Sequence, residues 1–236
     1  MRGIIVTLLL CLFASPAIQA QRTSSSSGFP RYDNGGKPDL TIDPKQQENQ
    51  MSIVDRYFDP QRDVCVFNEG AVGGPGYRRL LRFDTVIFNA GDADLIVGDR
   101  RDPLNPYAPY FYFDTCHGHY HMRDFSIYEL VRADNSVVVA GHKQGFCFVD
   151  TLKYWGGKSN GYDCFFQGIT SGWADVYSKQ LVGQWIDITG VPAGEYFLRV
   201  TINSANVFDE GQNRYPNVVE TPVSVPDPRN RVDIEY

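Results

Sequence analysis

From Glu195 to Asn203 apolar and polar residues alternate without a break. Tyr196, Leu198, Val200 and Ile202 fall on one side, and Glu195, Arg199 and Thr201 on the other. A period of two is that of a β-strand with one buried face, so this segment belongs to a sheet packed on a core. Other short apolar runs bounded by turn residues read the same way. They are Leu80 to Phe88, ending at Asn89-Ala90-Gly91-Asp92; Trp185 to Ile188, joined to the alternating segment across Gly190 to Gly194; Val218 to Val225; and Val232 to Tyr236. Phe125 to Val131 and Val137 to Ala140 flank Ala133-Asp134-Asn135-Ser136 and predict a hairpin. Helical periodicity is nearly absent, and Pro44 to Tyr57 is the only stretch that could hold a helix. The expected class is all-β: an antiparallel β-sandwich or barrel-like single domain with long loops and little helix.

The first twenty residues bear on the compartment. Arg2 is followed by an apolar run from Ile4 to Ala14, too short to span a bilayer, and then by Ser15, Pro16 and Ala17, which lead to small Ala20. That order predicts a secretory signal over residues 1–20. Residues 21–37, with Ser24-Ser25-Ser26 and Asn34-Gly35-Gly36, read as a flexible Ser, Gly and Pro-rich linker. Residues 38–236 then read as one domain, of a size that can enclose a proper core. No later segment is long and apolar enough for a membrane helix. Removal of the signal would take Cys11 and leave Cys65, Cys116, Cys147 and Cys164. Four cysteines in an exported protein suggest two disulfides, for which three pairings exist. The net charge of −6 argues against a nucleic-acid partner, which wants a basic face.

The most specific motif is Asp114-Thr115-Cys116-His117-Gly118-His119-Tyr120-His121, which holds three of the four histidines at every second position. On a flat strand the first and third would stand about 13 Å apart, too far for two imidazoles to meet comfortably on one ion. The segment must therefore bend, and Gly118 is where bending costs least. Three neutral imidazoles leave a coordination position open, the pattern of a catalytic metal site. Nitrogen ligands favour copper, with zinc the main competitor.

This segment, with Phe125 and Tyr128-Glu129-Leu130 after it, resembles the copper-binding segment of the lysyl oxidase family. The resemblance continues through Gly141-His142-Lys143, Phe146-Cys147, Asp150-Thr151 and Asp175-Val176-Tyr177. It extends to Gln184-Trp185-Ile186-Asp187-Ile188-Thr189 and Pro216-Asn217-Val218-Val219. It implies that His117, His119 and His121 bind copper, and that Lys143 and Tyr177 are joined as lysine tyrosylquinone, the organic cofactor. The implied reaction is oxidative deamination of primary amines, peptidyl lysine among them, to aldehydes with release of hydrogen peroxide and ammonia. The implied partners are an amine or lysine-bearing protein and molecular oxygen. The resemblance further implies a Cys116–Cys164 disulfide, leaving Cys65 with Cys147. Gly118 and Met122 stand where animal members usually carry other residues, and several of their cysteines are missing, which puts collagen and elastin specificity in doubt.

Bottom-up, the same chemistry needs an electrophilic carbonyl to capture an amine, and no ordinary side chain offers one. A modified tyrosine beside a redox metal meets that need. Asp150 and Asp175, near Lys143 and Tyr177 in sequence, are candidates for the base that removes a substrate proton. Two rival readings remain open. One is an exported metal-binding β-domain without the quinone; the other is a zinc hydrolase in which three histidines activate water.

Overall fold

The computed structural model describes residues 29–142, 145–230 and 233–235. Strands dominate, and the described residues form several sheets and no closed barrel. The strand expected at 195–203 is Gly194–Ile202, the centre of a four-stranded sheet. It pairs antiparallel with Val218–Val225 on one side and Ser126–Val131 on the other, and Val137–Ala140 completes the edge. Its alternation has the expected cause: Leu198, Val200 and Ile202 are fully buried while Glu195 is exposed. Each such aliphatic side chain contributes about 1.5–3 kcal/mol through burial. The hairpin between Ser126–Val131 and Val137–Ala140 is present as read, with Asn135 at φ 69° in its turn.

A second sheet orders Trp185–Asp187, Gly76–Arg82, Ser52–Phe58 and Asp233–Glu235, the last pair being parallel. A third orders Leu40–Ile42, Thr85–Asn89, Trp173–Tyr177 and Leu152–Lys153. Two-stranded ribbons join Leu95–Gly98 to Gln167–Ile169 and Phe111–Asp114 to His119–Met122. The main core gathers Leu81, Ile87, Tyr128, Phe146, Tyr177, Ile186 and Leu198 from all three larger sheets.

Three expectations are corrected. The run Leu80 to Phe88 is not one strand: it breaks at Phe83-Asp84, and its halves enter different sheets. Asp84 turns its carboxylate onto the Lys179 amide (2.6 Å) while Phe83 is fully buried, which fixes the corner. The helix in Pro44 to Tyr57 is only Pro44–Asn49, started by the Asp43 side chain accepting from the Lys45 and Gln46 amides. The β-branched Ile53 and Val54 then carry Ser52–Phe58 as a strand. A second helix, Val64–Asn68, had no legible signal.

Packing also begins before Pro38, within the stretch read as linker. The Phe29 ring lies 4.8 Å from Phe88 and 5.3 Å from Tyr215, and Asn34 is buried with its amide on Pro38 and Glu210 carbonyls. The expected signal, residues 1–20, and the linker up to residue 28 lie outside the described residues.

Candidate metal and cofactor site

Phe111–Asp114 and His119–Met122 form a hairpin in which Asp114 faces His119 and Tyr112 faces His121. The connection Thr115 to Gly118 carries Cys116 and His117. Its geometry follows from Asp114, whose Oδ1 accepts the Cys116 amide (2.8 Å) and the His117 amide (3.2 Å), and whose carbonyl accepts the Gly118 amide (2.8 Å). Gly118 sits at φ 72°, a left-handed conformation that side chains resist, so the bend falls where the spacing requires it. The bend brings His121 beside each of the other two rings, while the ligand atoms that lie within 4.8 Å of one another are those of Asp114, His117 and His121. Ring centres are 4.6 Å apart for His119 and His121, 5.1 Å for His117 and His121, and 6.1 Å for His117 and His119. The Nε2 atoms of His119 and His121 are 2.9 Å apart.

That distance tests the fit to a metal. Two nitrogens each ~2.0 Å from one ion stand ~2.8 Å apart at a right angle and ~3.3 Å apart at a tetrahedral angle. The observed spacing suits neighbouring positions of a tetragonal copper site. Asp114 stands behind the rings. Its Oδ2 lies 2.7 Å from Nδ1 of His117 and 3.0 Å from Nδ1 of His121. Burial would raise the Asp114 carboxyl, but the His117 ring and the two amides hold it below the ordinary carboxylate value.

A small pocket opens beside the cluster, with Glu69, Tyr112, His117, His121, His142 and Gly145 on its walls. Glu69 ends the Val64–Asn68 helix and places Oε1 3.9 Å from Nδ1 of His117. Tyr112 meets His121 edge-on, and burial together with the Asp114 and Glu69 charges pushes its phenol up to about 12. Gly145 is there because nothing larger fits: a Cβ would stand 2.6 Å from Cγ of His121. Val182 and Gly183 close the pocket from the loop before Trp185.

Tyr177 ends the strand Trp173–Tyr177 and is buried. Its hydroxyl accepts from the Cys147 amide and donates to the Cys147 carbonyl, both at 3.1 Å. Burial, with the nearby Asp175 carboxylate, raises the phenol well above its ordinary value. One residue links this tyrosine to the histidine strand. Phe146 bridges to Met122 through two backbone hydrogen bonds and sets its ring 5.0 Å from Tyr177. Lys143 lies outside the described residues; its neighbours His142 and Gly145 both line the histidine pocket. Asp150 is occupied elsewhere, clipping Thr170 (2.8 and 2.6 Å) and Ser159 (2.7 Å). Asp175, buried on the same strand as Tyr177, stays beside the phenol.

The cysteines do form two disulfides, but the pairing implied by the resemblance is corrected. The bonds are Cys65–Cys116, with Cα atoms 5.8 Å apart, and Cys147–Cys164, at 5.4 Å. Cys116 projects from the histidine turn onto the Val64–Asn68 helix, where Cys65 takes it as partner. Gln167 explains the second bond: its side chain accepts from the Phe148 amide and donates to the Cys164 carbonyl, drawing the two cysteine segments together. Asp114, Glu69 and Gly145 were missed as site residues. Only Asp114 offered a signal, a turn-forming residue three positions before the first histidine.

Fold and site together define an all-β, disulfide-bonded domain with a histidine cluster beside a small polar pocket and a buried tyrosine behind it. The chain belongs to the lysyl oxidase family, whose family model matches residues 66–225. It is 35% identical to "Lysyl oxidase homolog 2" of Homo sapiens over 190 residues, 76% of this chain and 23% of that protein. It is 39% identical to the Gallus gallus protein of that name over 192 residues, 77% of this chain and 24% of the relative. With "Lysyl oxidase homolog 3B" of Danio rerio it shares 42% over 175 residues, 70% of this chain and 21% of the relative. The chain thus spans less than a quarter of the length of these relatives.

Proposed function

We propose that this chain is a secreted copper-dependent amine oxidase. It deaminates primary amines oxidatively, peptidyl lysine among them, to aldehydes with release of hydrogen peroxide and ammonia. His117, His119 and His121 hold the copper, and Lys143 with Tyr177 forms the lysine tyrosylquinone. The observation that supports the reading is that the His121 ring meets both other rings, its Nε2 standing 2.9 Å from Nε2 of His119, the spacing of adjacent copper ligands. Metal and quinone together supply the redox chemistry and the carbonyl that captures an amine.

The chain's own residues do the rest. Asp114 and Gly145 fix where His121 stands, and Phe146 carries that position back to Tyr177. Glu69 puts a carboxylate on the pocket wall, where a cationic amine is attracted. Family membership supports the oxidase class, and two disulfides are consistent with an exported protein. Among the described residues no helix is long and apolar enough to cross a membrane. The domain bounds we propose are a signal over 1–20, a Ser, Gly and Pro-rich segment to 37 whose last part, from Phe29, packs on the domain, and a catalytic domain over 38–236.

The test is mass spectrometry of the secreted, copper-loaded protein after phenylhydrazine treatment. An adduct joining the Lys143 and Tyr177 peptides, absent in Lys143→Ala and Tyr177→Phe, is the expected result. Separate, unmodified peptides in protein that holds copper would refute the oxidase and leave a metal-binding β-domain.

A further inference from the structure

A neutral imidazole carries its proton on one nitrogen and a lone pair on the other, and only the lone pair can bind a metal. What sets the choice is the partner of the second nitrogen. In this cluster Asp114 Oδ2 is that partner for His117, 2.7 Å from its Nδ1, and the same oxygen stands 3.0 Å from Nδ1 of His121. Oδ1 of the same group is taken by the Cys116 and His117 amides, so the carboxylate cannot swing away without undoing the turn.

We propose that Asp114 is the positioning residue of the cluster, holding His117 with the proton on Nδ1 so that its Nε2 lone pair is kept for the metal. His117 donates from Nδ1 to Asp114 Oδ2, and the same carboxylate stands 3.0 Å from Nδ1 of His121. Such outer carboxylates typically govern ~10–100-fold of metal affinity. The proposal extends the metal reading of the preceding subsection, but the ring tautomers can be read without any metal.

Asp114→Asn is the informative variant. Asparagine keeps an oxygen for the two turn amides and puts an NH2 donor where Oδ2 was, so Nδ1 of His117 is pressed to become an acceptor. A carboxylate-to-amide change behind a catalytic histidine is known to impose the wrong tautomer in this way. The measurement is long-range 1H–15N correlation of the histidine rings in metal-free protein at neutral pH, with His142 as internal reference. An Nδ1–H on the His117 ring is expected in the wild type and its loss in Asp114→Asn, with copper affinity falling ~10–100-fold. A wild-type His117 without Nδ1–H overturns the proposal, whether or not the variant folds. So does a variant with an unchanged His117 tautomer or unchanged copper affinity. An Nδ1–H on His117 in a wild type that takes up no copper would sink the metal reading and leave this one standing.

Discussion

Gly145→Ala puts one carbon where the cluster has no room for it. Gly145 is buried and its backbone is not left-handed, so alanine meets no strain of its own. The added Cβ would stand 2.6 Å from Cγ and 2.8 Å from Cε1 of His121, and ordinary contact begins at 3.4 Å. The Cβ overlaps Nδ1 of His121 more closely still, so the ring must retreat by at least 0.8 Å at Cγ (3.4 − 2.6), 0.6 Å at Cε1 (3.4 − 2.8) and further at Nδ1. His121 has little freedom to do so, held by Asp114 at 3.0 Å and His119 at 2.9 Å. Metal–ligand distances tolerate only about ±0.2 Å. We expect copper affinity to drop by about tenfold or more, as for loss of an orienting partner. Overpacking should cost the metal-free protein about 1–3 kcal/mol. Competition titration against a chromophoric chelator reads the first quantity and urea unfolding the second. Gly157→Ala is the control, since a Cβ there meets nothing within 4 Å; it should change stability by no more than about 0.5 kcal/mol. Copper affinity within about twofold of wild type in Gly145→Ala, with the stability loss present, would refute the placement of His121 in the metal site.

Three further outcomes are expected. Replacing Cys65 and Cys116 by serine opens a loop of 51 residues, and replacing Cys147 and Cys164 one of 17. Chain entropy puts the losses at about 4 and about 3 kcal/mol in urea unfolding. Only the first pair should also weaken copper binding, because Cys116 precedes His117; equal weakening by both would contradict this. Burial alone would raise the Asp187 carboxyl, but donors from Gly73, Thr189 and Arg78 hold it below its ordinary value. A depressed folded pKa contributes stability above about pH 4 that is lost as the pH falls through the lower folded value. The stability gap between wild type and Asp187→Asn should therefore narrow in acid, and a gap that stays constant below pH ~4 would refute it. Tyr177→Phe removes both hydrogen bonds to Cys147 and should cost about 1–3 kcal/mol by the same assay.

Legibility in this chain follows from one-sided burial. Gly194–Ile202 could be read because one face meets the core and the other meets polar neighbours, so its sequence alternates. Thr85–Asn89 is buried at every position, as are the last four residues of Gly76–Arg82. Where both faces are covered the alternation vanishes, and the corner at Phe83-Asp84 that sends the halves to different sheets leaves no trace in hydropathy. The Val64–Asn68 helix is five residues long, too short to establish a 3.6-residue period.

The site divides along a similar line. Spacing along one segment brought the three histidines into view, because alternate residues of a bent strand share a face, and the same geometry demanded the bend at Gly118. Everything that gives the cluster its surroundings comes from distant segments. Glu69 arrives on a helix fastened to the histidine turn by Cys65–Cys116, Gly145 and Phe146 on the segment bridged to Met122, and Val182 on the loop before Trp185. Cysteine spacing left three disulfide pairings open, and the one the resemblance implied fails because the fold brings Cys65 to Cys116 and Cys147 to Cys164. Asp114 belongs to both categories. Sequence marks it as a turn former, but its Oδ2 serves rings at positions 117 and 121, and the second of these is in reach only because Phe111–Asp114 pairs with His119–Met122. A one-residue slip in that ribbon would turn the His121 side chain to the opposite face, away from Asp114 and His119. The register of this two-stranded ribbon is thus the structural condition for the metal site.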